Sequence, residues 1–434
     1  MWESNRSVLS DRFPNILAAL ESAGEMQNAE WLAEAAAPTA SARGIQLTSA
    51  YDRNSEAREQ AQLIDDDADS AWVYGFGLGD LPRELLARTT LKRLNVVLLN
   101  CSLTRFCLGH VDNTDWLRDS RVRLLLGSSE SEIQSPFAAL PGELALADDS
   151  SARLRDLVQI ELASPWVAEK MNERGERFAA AIAENEEFLA VDGDVAELFG
   201  LYKGKTVYVA AAGPSLEESY EFLRDRQAPL IAVGAALRPF LDAGLCPQVV
   251  IGIDDHYLGM TRQFESDLSP MSQSALVYFP VVPTKILKVW PGRRLVAYGV
   301  HPRWSELDAS RPKGRLWGSG TVTHTAIDLA VRMGASRVVL FGCDFGFVDN
   351  RTHARGNAYS SEIETLPNGD PLGQGAWVHD VNGNRLATLP NLCSYLRDLE
   401  RYIAVHPEVE FVNASRSGAA IAGTVTAEEV QLGS

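Results

Sequence analysis

Small and acidic residues recur where predicted strands end in the second half of the chain. They lie directly after short apolar runs such as TVYVAAA and RVVLFGC. In an open parallel sheet, ligands bind beyond the carboxyl ends of the strands, and free backbone N–H groups there hold phosphate. The pattern therefore predicts a nucleotide-binding crevice lined by Gly213, Pro214, Ser215, Gly234, Asp254, Asp255, His256, Gly318, Ser319, Gly320, Thr321 and Asp344.

The segment GPSLEES supports two interpretations that can hold together. Ser215 and Glu218 fit S-x-x-E, the pattern of a capping box at a helix start. Alternatively, Gly213 allows a phosphate to approach the backbone, and the helix dipole stabilises its charge. Glu218 weighs against the second interpretation, because its carboxylate would repel an anion.

A similar turn opens the segment GSGTVTHTAIDLAVRMGA. Two glycines precede Thr321, which can cap an amphipathic helix that ends near Gly334. The turn is either an ordinary strand-to-helix connection or a second site for an anion or hydroxyl group in the same crevice. His324 lies in the first turns of this helix, where packing explains it equally well.

Two side chains are predicted to be catalytic. Asp344 ends a strongly apolar strand, where a charge is costly without a partner. His353 lies in the following loop, and an imidazole near neutral pKa suits acid or base chemistry. Asp254 and Asp255 either bind ribose hydroxyls or a divalent metal, or form a solvated acidic turn. No metal ligand set is predicted.

The strands and helices predicted around these residues indicate an α/β protein. Short β-branched runs from Thr206 onwards indicate a doubly wound, mostly parallel sheet. Upstream, SAWVYGFGLGDLPRELL and LNVVLLN predict a strand, a glycine-rich turn, a helix and a second strand of a Rossmann-like domain. The predicted division is an amino-terminal domain over 1–153, a helical connector over 154–201 and a catalytic domain over 202–434.

The amino-terminal glycine-rich turn is predicted to be structural. Gly75, Gly77 and Gly79 resemble the first turn of a nucleotide or S-adenosylmethionine site. However, Asn100 occupies the end of the next strand, where an acidic residue would hold a ribose.

Composition excludes several classes of protein. The formal net charge of −18 disfavours a nucleic-acid-binding surface. The five cysteines are never spaced C-x-x-C, which argues against zinc and disulfide frameworks. No run is long enough to span a membrane and the start lacks a secretory signal, so we expect a cytoplasmic protein without membrane insertion.

The order of motifs resembles the motility accessory factor (Maf) family. The matching segments are LTSAYDRNSEAREQ, VYGFGLGD, AAAGPSLEES, IAVGAAL, IGIDDH, GSGTVTHTAIDLAVRMGASRVVLFGCDFGF, THARG, VHDVNGNRLATLPNLCSYLRDLERYI and FVNASRSGAAIAGT. The family's central domain is similar to bacterial sialyltransferases and shares its G-P-S-L turn with 6-hydroxymethylpterin diphosphokinase-like proteins.

This resemblance implies a glycosyltransferase with flagellin as its acceptor and a CMP-activated nonulosonic acid, of pseudaminic or legionaminic type, as its donor. Gly213, Pro214 and Ser215 would hold the CMP phosphate, with the Gly318–Thr321 turn and Asp344 completing the donor site. His353 matches the T-H-A position, and its role as a base is our hypothesis. No cofactor is firmly implied.

Two alternatives stay open. An ATP-dependent pterin diphosphokinase would use Asp254 and Asp255 to hold Mg²⁺. A flagellin-binding module without turnover would keep the fold alone. The sequence ends with IAGTVTAEEVQLGS, whereas many members of the family it resembles continue into a helical region, so we expect acceptor binding to differ or to depend on a partner.

Overall fold

A computed structural model describes residues 1–130, 132–173, 175–255, 261–363 and 376–427. The chain forms two compact units, Met1–Ser164 and Pro165–Ser434, called the first and second units below. The predicted α/β class is confirmed in both, because each contains a parallel sheet flanked by helices. The division into three parts at 153 and 201 stays a prediction.

The first unit contains a four-stranded parallel sheet in the order β6-β5-β4-β7 and a three-stranded antiparallel sheet in the order β1-β2-β3. In β4, the residues Ala71, Val73 and Tyr74 are buried, and in β5 every residue after Arg93 is buried. This burial explains the apolar sequences of both strands. The strands are β1 (Ala29–Leu32), β2 (Thr39–Ala42), β3 (Ile45–Gln46), β4 (Ser70–Tyr74), β5 (Arg93–Leu98), β6 (Val122–Leu126) and β7 (Phe137–Ala139).

Helices pack against these strands through the apolar side chains of the first unit's core. The predicted order of strand, glycine-rich turn, helix and strand over Ser70–Leu98 is confirmed. The α-helices of this part of the chain are Trp2–Arg12, Pro14–Ala23, Arg53–Ala61, Asp80–Leu86, Cys101–His110, Thr114–Leu117, Pro141–Ala145 and Ala152–Glu173, the last of which crosses the division between the units.

The second unit is built on a nine-stranded parallel sheet in the order β20-β19-β16-β9-β10-β11-β12-β13-β8. The chain first forms the edge strand β8, then adds strands from β9 towards that edge, and finally adds β16, β19 and β20 on the other side of β9. Its strands are β8 (Gly193–Asp194), β9 (Thr206–Ala210), β10 (Leu230–Val233), β11 (Val249–Gly252), β12 (Ala275–Tyr278), β13 (Arg293–Val296), β16 (Arg337–Phe341), β19 (Glu410–Asn413) and β20 (Val425–Thr426).

The topological switch point lies between β9 and β16, which pair in register from Arg337 opposite Thr206 to Phe341 opposite Ala210. Crevices at such points are the usual ligand sites of doubly wound sheets. The strands on both sides are buried on both faces, as their continuous apolar sequences predict.

Two small sheets lie outside the nine-stranded one. β14 (Tyr298–Gly299) pairs with β15 (Arg315–Leu316), and β17 (Ala376–His379) pairs with β18 (Arg385–Thr388). The sequence RLWGSG is among the apolar runs predicted to form the main sheet, and this prediction is wrong, because its strand β15 belongs to a separate sheet.

The predicted connector is helical over Gly175–Glu184 and Glu186–Val191, and its last part contributes β8 to the main sheet. All five cysteines have free thiols. None of the helices in the described part of the chain has the length and apolarity needed to cross a lipid bilayer. The remaining α-helices of the second unit's described part are Tyr220–Arg224, Leu237–Asp242, Thr284–Val289, Ser305–Ser310, Val322–Arg332 and Pro390–Ala404.

Candidate functional site

The Gly213 turn and Asp344 meet at the switch point. The backbone N–H of Ser215 donates to Asp344 Oδ2 at 2.9 Å, and the Ser215 hydroxyl donates to Oδ1. The hydroxyl of Ser415, after β19, donates to Oδ1 at 3.3 Å. A side chain at Gly213 would collide with the Asp344 carboxylate. Asp344 therefore fills the position on the Ser215 amide where the sequence predicts a phosphate.

The Asp344 carboxylate has Ser215 and Ser415 as the hydrogen-bond partners that a buried charge requires. Its side chain is only 3 % exposed. Burial raises the pKa of Asp344 to about 6, even though the hydrogen bonds from Ser215 and Ser415 favour the charged form. The carboxylate thus holds together the loops that follow β9, β16 and β19.

The capping-box interpretation of GPSLEES is wrong. Residues Pro214–Ser219 form a 3₁₀ helix whose N-cap is Gly213, so Ser215 lies inside the helix, and its hydroxyl donates to Asp344. Glu218 accepts hydrogen bonds from the backbone N–H of Arg416 at 3.2 Å and from the hydroxyl of Ser417. Its carboxylate fixes the loop after β19 instead of the helix start.

Glu217 fixes a second loop, the one that contains His353. It accepts hydrogen bonds from the Arg351 guanidinium and, at 2.7 Å, from the backbone N–H of Arg355. Burial opposes ionisation of Glu217, but the bonds from Arg351 and Arg355 outweigh it and its pKa lies below the ordinary value. The loop is also joined to β9, because the N–H of Ala354 donates to the carbonyl of Ala212 at 2.9 Å.

His353 lies between these anchored residues and is half-buried. Within the described part of the chain, its Nδ1 is buried and has no hydrogen-bond partner. Burial lowers the pKa of His353, and a backbone hydrogen bond at Tyr359 opposes this in part. Burial therefore favours the neutral imidazole, whose Nδ1 is covered by protein atoms.

The Gly318–Thr321 turn has different partners from the Gly213 turn. The Ser319 hydroxyl donates to Asp398 at 2.6 Å, and Gly320 lies against the ring of Tyr395, so both contact helix Pro390–Ala404. Gly318 lies close to Thr325. Within the described ranges, no hydrogen bond joins this turn to Ser215 or Asp344.

This turn is nevertheless the more accessible of the two. Gly318 and Gly320 are exposed. Thr321 caps helix Val322–Arg332 by accepting a hydrogen bond from the N–H of Thr323 at 3.4 Å, as predicted. The helix precedes the parallel strand β16, so it starts at the carboxyl edge of the sheet. Its exposed start is suited to an anion.

His324 is part of the core. It is completely buried, stacks on Trp317 with ring centres 4.7 Å apart and bonds to the carbonyl of Tyr395 at 2.9 Å. Burial lowers the pKa of His324 to about 4. The packing interpretation of this residue fits these contacts.

The turn after β10 contains Gly234, where an added Cβ would lie 3.3 Å from the carbonyl oxygen of Ile251 and in ordinary contact with the ring of Phe264. Next to it lie two amide side chains that the sequence did not single out. Asn357 donates to the carbonyl of Ala235 at 2.7 Å, and Gln263 donates to Asn357 Oδ1 at 3.1 Å. Apart from its amide type, nothing in the sequence marks Gln263 as a candidate.

The acidic turn after β11 is open to solvent. Asp254 is exposed and Asp255 is half-buried, and Asp254 has an interaction partner. His256 lies outside the described residues. Across the described ranges, there is no group of three or more His, Cys, Asp or Glu side chains that could hold a metal ion.

The glycine-rich turn of the first unit is closed by a carboxylate. Glu143 Oε1 accepts hydrogen bonds from the backbone N–H groups of Phe76, at 2.8 Å, and Gly77. Asn100 caps helix Cys101–His110 and donates to the carbonyl of Leu146 at 2.7 Å. These contacts agree with the structural interpretation of this turn.

A groove of about 560 Å³ lies elsewhere in the second unit, between helix Gly175–Glu184 and the segment 301–310. Its walls are Phe178, Ile182, Leu307 and the polar side chains of His301 and Arg303. None of the predicted site residues lines it.

One comparison with known proteins agrees with the predicted similarity to 6-hydroxymethylpterin diphosphokinase-like proteins. The model of the family described as 6-hydroxymethylpterin diphosphokinase MptE-like matches residues 180–350, which include the Gly213 turn and Asp344 but not His353. Among solved structures, the chain is similar to the "Structure of MAf glycosyltransferase from Magnetospirillum magneticum AMB-1" at 16% identity and a TM-score of 0.47, covering 100% of this chain and 75% of that one. No curated protein matches the chain. A structural likeness at this level does not define an activity.

Proposed function

We propose that the chain is a glycosyltransferase that moves a nonulosonic acid, of pseudaminic or legionaminic type, from its CMP-activated form to Ser or Thr of flagellin. The supporting observation is the linked cluster at the switch point, where the Gly213 turn, Asp344 and the His353 loop are joined by hydrogen bonds. The motif resemblance supplies the classes of donor and acceptor.

In this proposal the two predicted anion-binding turns have different tasks. The donor phosphate binds at Gly318–Thr321, because that turn is exposed and opens helix Val322–Arg332. Gly213, Pro214 and Ser215 form the adjoining floor, and Asp344 maintains their shape because it already occupies the Ser215 amide. Gly234 and Asp254 face the nucleoside from the next two strand ends.

The reaction requires one proton acceptor and stabilisation of one leaving group. The acceptor hydroxyl attacks the anomeric carbon, the new C–O bond forms, and the C–O bond to the phosphate breaks with its electron pair leaving on CMP. His353 Nδ1 takes the hydroxyl proton once acceptor binding has displaced the protein atoms that cover it, and the N–H groups of the exposed turn stabilise the departing phosphate. Attack opposite the leaving group inverts the anomeric centre.

The test is transfer by the purified chain to flagellin, followed by intact mass. The His353→Ala variant should lose transfer about 100-fold or more, which is the usual contribution of a general base. His110→Ala, which replaces an exposed histidine of the first unit, should retain it. Because the pKa of His353 is lowered from 6.5, the wild-type rate should fall only at pH values below about 6.5.

Unchanged turnover in a folded His353→Ala variant removes the assignment of the base. The absence of both transfer and CMP release in the wild type, with either class of donor, removes the proposed function. Binding of flagellin without turnover would instead support the non-catalytic alternative.

The diphosphokinase alternative is favoured by the family match over residues 180–350. It requires Mg²⁺, for which Asp254 and Asp255 are the candidates, but the described residues provide no third acidic or imidazole ligand beside them. Incubation with ATP and 6-hydroxymethylpterin, with and without EDTA, distinguishes the two functions. EDTA-sensitive release of AMP would support the kinase.

A further inference from the structure

Gln263 and Asn357 form a buried amide pair at the carboxyl edge of the second unit's sheet. Gln263 lies in the segment after β11, and its neighbour Phe264 packs against Gly234 at the end of β10. Asn357 belongs to the loop that contains His353, and it bonds to the carbonyl of Ala235. The pair therefore connects the His353 loop to the end of β10.

The hydrogen bonds fix the orientation of both amides. Asn357 donates through Nδ2 to the carbonyl of Ala235 at 2.7 Å, and its Oδ1 accepts the N–H of Tyr359 at 2.7 Å. A rotated Asn357 amide would place two donors together at Tyr359 and two acceptors together at Ala235. Since Oδ1 must face Tyr359, Gln263 can bond to it only through Nε2, as observed at 3.1 Å.

The consequence is a carbonyl oxygen held in place without a partner. Gln263 is 3 % exposed, and its Oε1 is buried with no hydrogen-bond donor within reach in the described ranges. An unpaired buried acceptor costs about 1–3 kcal/mol. Such a cost at the ligand edge of a doubly wound sheet is explained if a ligand supplies the missing donor.

We infer that Gln263 Oε1 accepts a hydrogen bond from the exocyclic amino group of the nucleotide base and makes the site selective for cytosine over uracil. The inference rests on the proposed function and specifies how its donor is recognised. Cytosine presents an amino donor where uracil presents a carbonyl acceptor, so only cytosine satisfies Gln263. Because Oε1 is covered here, nucleotide binding must displace the protein atoms around it.

The experiment is calorimetric titration of the full chain with CMP and UMP. The wild type should bind CMP at least about tenfold more tightly than UMP. Gln263→Met, which keeps the length but removes the acceptor, should weaken CMP binding about tenfold and bring the two affinities together. Gln263→Glu keeps an acceptor oxygen but replaces the Nε2 donor to Asn357 with a second oxygen, so it should weaken the binding of both nucleotides and still favour CMP over UMP. Gln273→Met, at an exposed position of the same unit, is the matched control and should change neither affinity.

Each outcome has a defined meaning. If Gln263→Met binds CMP with the wild-type preference over UMP, the inference is wrong and the proposed donor stands. Equal affinities in the wild type also overturn the inference. If the wild type binds neither nucleotide, the proposed function fails and the inference fails with it. If Gln263→Met does not fold, loss of the preference in Gln263→Glu overturns the inference.

Discussion

The glycine-containing turns of the two units both enclose a buried carboxylate, but they satisfy it differently. In the first unit, Glu143 Oε1 accepts both turn N–H groups, while Oε2 is buried without a partner among the described residues. In the second unit, Asp344 accepts one turn N–H and the hydroxyls of Ser215 and Ser415, so both of its oxygens are used.

Burial has the same effect on both carboxyl groups. It raises the pKa of Glu143 to about 7 and that of Asp344 to about 6. The comparison shows that a turn with the sequence of an anion site can already contain a carboxyl group of the protein itself.

The largest expected effect is the loss of the Asp344 carboxylate. Asp344→Ala leaves the N–H of Ser215 and two hydroxyls without an acceptor and creates a cavity, so we expect a loss of about 3 kcal/mol in the free energy of unfolding. Urea denaturation measures it. Asp225→Ala, at an exposed position, is the control. A loss below about 0.5 kcal/mol would mean that the carboxylate does not hold these loops.

A methyl group at Gly213 should have the next largest effect. The φ of −65° suits any residue, so the cost of Gly213→Ala comes from the collision with Asp344 and the carbonyl of Gly342. We expect a loss of about 2 kcal/mol. The loss should be smaller in an Asp344→Ala background, and simple additivity of the two changes would contradict the proposed contact. Gly175→Ala, where a methyl group has open space, should cost nothing.

The smallest expected effect is on how the stability of the first unit depends on pH. The folded-state pKa of Glu143 is raised from 4.5 to about 7, so its contribution to stability is complete below about pH 4.5 and is lost as pH rises through about 7. Glu143→Gln does not titrate, so relative to wild type it should gain roughly 1–2 kcal/mol between pH 5 and pH 8.

Urea denaturation at several pH values measures this change, and Glu59→Gln, at an exposed position, is the control. Parallel pH profiles for the wild type and Glu143→Gln would show that Glu143 does not titrate in this range.

The sheet of the second unit is largely predictable from the sequence because its central strands are buried on both faces. Each then reads as a continuous apolar run, as in β9, β10, β11 and β16. The two-residue edge strands β8 and β20 are too short to leave such a pattern. The wrong assignment of β15 has a related cause, since an apolar run does not identify its pairing partner.

The candidate site is less predictable because its contacts are distant in sequence. The Gly213 turn is visible as a motif, but the group that fills it comes from 129 residues away through the pairing of β9 with β16. The local S-x-x-E pattern fails because the helix already begins at Pro214, which places Ser215 inside it, where its hydroxyl bonds to Asp344. The unpaired carbonyl oxygen of Gln263 can be recognised only when the hydrogen bonds of Asn357 are known.

The two bonds from Glu217 to Arg351 and Arg355 bracket His353 without involving its own side chain. Both ends of the loop are thus held by the 3₁₀ helix Pro214–Ser219, and the ring adds a bond of its own to the backbone of Tyr359. Replacing the ring removes the bond at Tyr359 but keeps both bonds to Glu217, so the loop stays attached to this helix in a variant that lacks the imidazole.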